Sequence, residues 1–139
     1  MKTVSVCVCF IVLACSIAAR TELTQRRNSP TGVMVVVAYK PHQGKEQELL
    51  QLTREHLPIL RSQGLATDRP SYTMRAGDGT IVEVFEWKSK QAIESAHTNP
   101  AVAALWKRYA EACEFTPLSK VPECSNLFAE FEPIDLTAR

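Results

Sequence analysis

The stretch Ile81-Val-Glu-Val-Phe-Glu-Trp87-Lys-Ser89-Lys-Gln-Ala-Ile-Glu-Ser-Ala-His97-Thr-Asn99-Pro100-Ala-Val-Ala-Ala-Leu-Trp106 decides the fold. Its first seven residues are rich in β-branched and aromatic side chains and read as a strand ending on a tryptophan. Ser89 follows as a helix N-cap, since its hydroxyl accepts from an amide that the first turn leaves unpaired. Asn99-Pro100 then starts a second helix: asparagine caps, and proline at the first helical position loses nothing by lacking an N–H. Val102, Leu105, Trp106, Tyr109 and Cys113 form the apolar stripe of that helix.

Upstream, Ser71 to Ala76 and Thr80 to Trp87 bracket Asp78-Gly79, a two-residue hairpin signal. A loop of that length sets Tyr72 opposite Phe85 and Met74 opposite Glu83. Tyr72, Met74, Ala76, Ile81, Glu83, Phe85 and Trp87 then share one face. Gly32 to Lys40 reads as a first strand, apolar on both faces and so needing cover on both sides. Lys45 to about Gln63 reads as a helix with Leu49, Leu52, His56 and Leu60 on one stripe. Pro58 predicts a kink or a fresh turn at Leu57, and Gly64 predicts the stop. Beyond Pro117 and Pro122, Asn126 to Glu132 reads as the last strand.

The resulting order is β-α-β-β-α-β. The expected class is α+β with a ferredoxin-like arrangement, a four-stranded antiparallel sheet carrying its helices on one face. The other face is apolar and uncovered, which predicts a homodimer packed sheet to sheet.

A chain of 139 residues with 45% hydrophobic and 22% charged content holds one ordinary domain. The net charge of +1 hides a split. Residues 1–30 carry Lys2, Arg20, Arg26 and Arg27 against Glu22, a net +3, and the rest stands at −2. A mildly acidic domain does not suit nucleic acid, which asks for a basic face. Thr3 to Ala19 is uncharged over 17 residues, shorter than a membrane span and ending in small residues. That pattern reads as a secretory leader over residues 1–19, followed by a polar linker over 20–31, the domain over 32–135 and a tail over 136–139. Val12-Leu13-Ala14-Cys15 also fits a lipoprotein signal, which would make a lipid anchor the one membrane attachment. The expected location is then exported; if translation instead starts at Met34, it is cytoplasmic. Cys113 and Cys124 alone reach the domain, either pairing across the intervening loop or remaining thiols. Two cysteines without a nearby histidine do not make a zinc site.

Val84-Phe85-Glu86-Trp87-Lys88-Ser89 running into a helix, followed by His97-Thr98-Asn99-Pro100-Ala101-Val102, resembles the antibiotic biosynthesis monooxygenase-like family. The resemblance spans Thr31 to about Asp135. It implies a dimeric α+β barrel and a pocket between sheet and helices. It also implies either cofactor-free oxygenation of quinol-like aromatics or haem degradation. The haem-degrading branch places its ligating histidine where this chain has Trp106, whose indole N–H cannot ligate iron. That branch also has an asparagine on the first strand, where this chain has Val35, Val36 and Val37. No cofactor and no metal are therefore expected.

Within the expected pocket, Glu83 is a carboxylate among apolar neighbours, where burial would make it a general base. A bulge would instead turn it to solvent. His56 lies on the apolar stripe of the first helix, as a second candidate base or as a hydrogen-bonded core residue. The resemblance makes Trp87 a ligand contact. Tyr72, Phe85, His97, Trp106 and Tyr109 are candidates to bind a flat aromatic molecule, with core packing as the competing reading. Arg69 and Arg75 are candidates to attract an anion or are plain surface charge. Two functions follow: a cofactor-independent monooxygenase for a small aromatic or quinol-type molecule, or a non-catalytic domain that binds or senses a hydrophobic ligand.

Overall fold

The computed structural model describes residues 32–137. The leader and linker expected over residues 1–31, and the last two residues of the tail, lie outside the described residues. The described chain is α+β. Strands β1 (Val33–Pro41), β2 (Tyr72–Arg75), β3 (Ile81–Trp87), β4 (Cys113–Thr116) and β5 (Glu132–Pro133) form one antiparallel sheet in the order β4-β1-β3-β2-β5. Helices α1 (Glu46–Ser62), α2 (Lys90–Ala96) and α3 (Pro100–Ala112) join them.

The helix punctuation follows the sequence closely. Ser89 Oγ accepts from the Ala92 amide at 3.0 Å, and Asn99 Oδ1 accepts from the amides of Ala101 and Val102 at 2.9 and 3.2 Å. Helix α1 ends as Gly64 takes the left-handed conformation at φ 71°. The Leu65 amide then reaches back to Leu60 O and the Gly64 amide to Arg61 O, both at 2.9 Å, the paired closure that satisfies the last carbonyls. Of the kink or fresh turn expected at Pro58, no fresh turn forms: α1 is continuous across it. Pro58 sits on the exposed side, so the carbonyl it leaves without a helical donor is on the solvent-facing side of the helix.

Two expectations are corrected. The hairpin loop has three residues, Gly77 to Gly79. The Ala76 amide bonds Thr80 O at 2.8 Å and the Gly79 amide bonds Ala76 O at 2.9 Å. Gly79 at φ 86° supplies the left-handed residue that such loops need, and Asp78 Oδ1 accepts from the Thr80 amide at 3.0 Å. The extra residue shifts the register by one, so Tyr72 faces Val84 and Met74 faces Val82. A one-residue shift moves every side chain of a strand to the other face. Thr73 and Arg75 therefore share the face of Glu83, and Tyr72 and Met74 leave it.

The second correction concerns the end of the chain. Cys113 closes α3 in extended conformation, and the chain runs straight into β4 beside β1. With that edge taken, residues 126–131 form no strand, Leu127 and Phe128 stand exposed, and only Glu132 and Pro133 pair with β2. The sheet has five strands where four were expected.

Side chains alternate across this sheet. Val33, Val35, Val37, Tyr39, Ile81, Phe85 and Trp87 face the helices and pack with Leu49, Leu52, Leu57, Leu60, Val102, Leu105 and Tyr109 in two adjoining cores. On the opposite face, Ala38, Ala76 and Val82 are covered by Val121 and Phe131 from the C-terminal segment. That segment is pinned where Glu123 Oε1 accepts from the Gly77 amide at 2.6 Å. The rest of the outer face stays open, with Met34, Val36 and Tyr72 exposed by 50%, 47% and 67%.

Candidate functional site

A cavity of about 210 Å³ lies between the sheet and the helices. Phe85, Trp87, Trp106 and Phe115 supply its aromatic wall, and Val35 and Val37 its aliphatic floor. Tyr39 and His56 are the two lining residues with polar atoms on non-indole side chains.

Each polar group arrives from a different element. His56 occupies the inner stripe of α1 between Leu52 and Leu60, and is 3% exposed. Tyr39 comes from the end of β1, where it pairs with Ile81 on β3 and Phe115 on β4. Glu83 comes from the middle of β3, is 0% exposed, and stands opposite Val37 and Thr73. Its Oε2 takes a hydrogen bond from the Tyr39 hydroxyl at 3.0 Å and lies 2.8 Å from His56 Nδ1. A carboxylate buried between hydrophobic layers needs such partners, because isolated burial of the charge is prohibitive. Glu83 Oε1, Thr73 Oγ1 and the Tyr109 hydroxyl are buried with no hydrogen-bond partner. The His56 ring is fixed from its flanks by edge-to-face contacts with Phe85 at 5.0 Å and Tyr109 at 5.6 Å.

Burial, followed by the neighbouring Glu83 charge, holds the Tyr39 phenol well above its ordinary range, so it stays a donor. Burial raises the Tyr109 phenol in the same way, and pushes the Cys113 thiol up to about 11.

The residues singled out from the sequence divide cleanly. Glu83 and His56 are brought together in the core; His56, Phe85, Trp87 and Trp106 line the cavity. Tyr109 lies behind that wall, its ring tilted against that of Tyr39 with centroids 5.0 Å apart. His97 is exposed, with its ring 5.1 Å from that of Trp106. Tyr72 is not a cavity residue, because the three-residue loop turns it to the outer face. Arg69 and Arg75 are paired elsewhere, with Glu86 at 2.9 Å and Glu132 at 3.6 Å. Cys113 and Cys124 are both free thiols, the first buried and the second exposed. Tyr39 and Phe115 were not singled out. Alternation along β1 already set Tyr39 on the helix-facing side, whereas nothing local marked residues 113–116 as the strand that carries Phe115 into the cavity.

Among the described residues, no group of three or more His, Cys, Asp or Glu side chains is placed to hold a metal ion, and no helix is long and apolar enough to cross a membrane. Compared with known proteins, the chain matches no family model, no curated protein and no solved structure.

Proposed function

We propose that this cavity is the site of a cofactor-independent monooxygenase-like protein acting on a small aromatic or quinol-type molecule. The observation that carries the reading is the hydrogen-bonded His56–Glu83 pair, with His56 in the wall of a largely apolar, aromatic cavity and Glu83 behind it. In the proposed reaction the pair takes the proton of a ring hydroxyl, and the charge delocalises onto a ring carbon that still carries its hydrogen. That carbon reacts with O2 to give a hydroperoxide. Loss of water leaves one oxygen as a carbonyl and carries away the other. Both hydrogens of the water come from the substrate, so no external reductant enters. A dry cavity with a fixed base is what this chemistry asks of the protein.

The scaffold supports the same reading. A sheet order of β4-β1-β3-β2, with β5 added at one edge, fits a ferredoxin-like core. With the motif around Trp87 and Asn99-Pro100, it is in keeping with membership of the antibiotic biosynthesis monooxygenase-like family. The open patch of Met34, Val36, Val84 and Tyr72 fits a second copy of the chain packed sheet to sheet, as in a dimeric α+β barrel.

A second reading, a non-catalytic domain that binds or senses a hydrophobic ligand, is favoured by the scarcity of polar groups in the cavity wall. Oxygen uptake separates the two. With a panel of anthrone- and quinol-type compounds, the wild-type protein should consume O2, and His56→Ala and Glu83→Ala should each lower the rate by 100-fold or more, on the order expected for general base catalysis. No uptake, or uptake that survives both changes, leaves the binding reading.

A further inference from the structure

Resting on that reading of the cavity, we propose that His56 and Glu83 have unequal roles. His56 offers a single acceptor atom, Nε2, to a neutral aromatic ligand that carries one O–H donor, and Glu83 is a positioning residue that never touches the ligand. His56 lines the cavity and Glu83 does not. One carboxylate oxygen, Glu83 Oε2, faces both the Tyr39 hydroxyl and His56 Nδ1. With Glu83 Oε2 as the acceptor of both bonds in this proposal, Nδ1 carries a hydrogen. In the neutral ring the lone pair then sits on Nε2, on the far side from Glu83. Among the described residues, no hydrogen bond to Nε2 is found.

The charge around the cavity selects the ligand. Its lining holds no lysine, arginine or carboxylate. Arg69 and Arg75 are committed to Glu86 and Glu132. An anionic ligand would find no cation there, and would approach the Glu83 carboxylate behind the His56 ring. A ligand without a donor would bury Nε2 unpaired, which is the expensive outcome for a polar atom. A cavity of about 150 Å³ is known to hold benzene, so about 210 Å³ suits one or two fused rings.

Equilibrium dialysis of the full chain against 2-naphthol, 2-methoxynaphthalene and 2-naphthoate tests the assignment, together with 15N NMR of the His56 ring. The expected result is 2-naphthol bound about tenfold tighter than either of the others, the size of one net hydrogen bond. His56→Phe should bring 2-naphthol down to the level of 2-methoxynaphthalene. The wild-type ring should show the Nδ1–H tautomer, and Glu83→Met should shift it towards the Nε2–H form that free imidazole prefers. Equal binding of the three, a preference for the carboxylate, no binding at all, or an Nε2–H tautomer in the wild type overturns the proposal. A tautomer unmoved by Glu83→Met removes the positioning role. Should His56→Phe fail to fold, the wild-type ranking and tautomer still decide. Selective binding without O2 uptake sinks the oxygenase reading alone, and O2 uptake with the wrong tautomer sinks this assignment alone.

Discussion

At the residue scale the core depends on how a buried carboxylate is held. Tyr39→Phe deletes one of the two groups facing Glu83 Oε2 while keeping the ring that packs on Tyr109 and Phe115. Urea unfolding should show a loss of about 1–3 kcal/mol, the range for leaving a buried polar group short of a partner; a change below about 0.5 kcal/mol would show that Glu83 does not need the phenol. The raised groups also set an alkaline limit. Cys113, Tyr39 and Tyr109 hold their protons more tightly folded than unfolded. Their contribution is therefore complete below the unfolded values and is lost as pH rises through the folded ones. For Cys113 the window runs from 9.0 to about 11, with the tyrosines adding to the loss above 10.0. Unfolding free energy should fall across that window, and Cys113→Ala should flatten its first part; a wild-type profile level to pH 11 contradicts this account. Glu83 was conspicuous in the sequence because a carboxylate interrupts an apolar strand. Its bond to Tyr39 was not, because the two residues are 44 positions apart and no local pattern links them.

At the element scale, the legible features are those written in a few adjacent residues. Ser89, Asn99-Pro100 and Gly64 each act on amides or carbonyls within four residues, so their roles could be read directly. Asn99→Ala should lower stability by about 1 kcal/mol, measured as a shift in the urea midpoint, with Asn99→Gly costing only a few tenths. If both changes cost the same, the cap is not the cause. The hairpin shows the opposite case. Asp78-Gly79 is an honest two-residue signal, but Gly77 joins the loop and the register slips by one. Deleting Gly77 leaves Asp78-Gly79 as a two-residue turn between Ala76 and Thr80, so Tyr72 should keep Val84 as its partner and Thr73 should keep Glu83. Cross-strand NOEs between Tyr72 and Val84 should persist in that variant; NOEs between Tyr72 and Phe85 in their place would contradict this register. Strand β4 escaped notice because Cys-Glu-Phe-Thr follows a helix without any turn residue between them.

At the scale of the whole molecule, a self-covering tail and an open patch divide the outer face of the sheet. Sedimentation equilibrium should return twice the mass of the chain, and Val36→Lys with Tyr72→Lys should return a monomer of unchanged circular dichroism; a wild-type monomer removes the dimer from the proposal. The need for cover was legible because β1 is apolar on both faces. The tail's share of that cover was not, since Val121 and Phe131 lie in a segment without periodic pattern. The buried Glu83 carboxylate has one further consequence, for the order in which the chain assembles. Strands β2 and β3 close over three residues, whereas His56 and Tyr39 reach Glu83 from 27 and 44 positions away. Short loops close first because their entropic toll is smaller. Glu83 should therefore still be hydrated on a nascent hairpin when α1 and β1 dock, which puts its desolvation late on the expected folding path. Mutations at Tyr39 and His56 should accordingly speed unfolding while hardly slowing folding, whereas Gly79→Ala in the hairpin loop should slow folding itself.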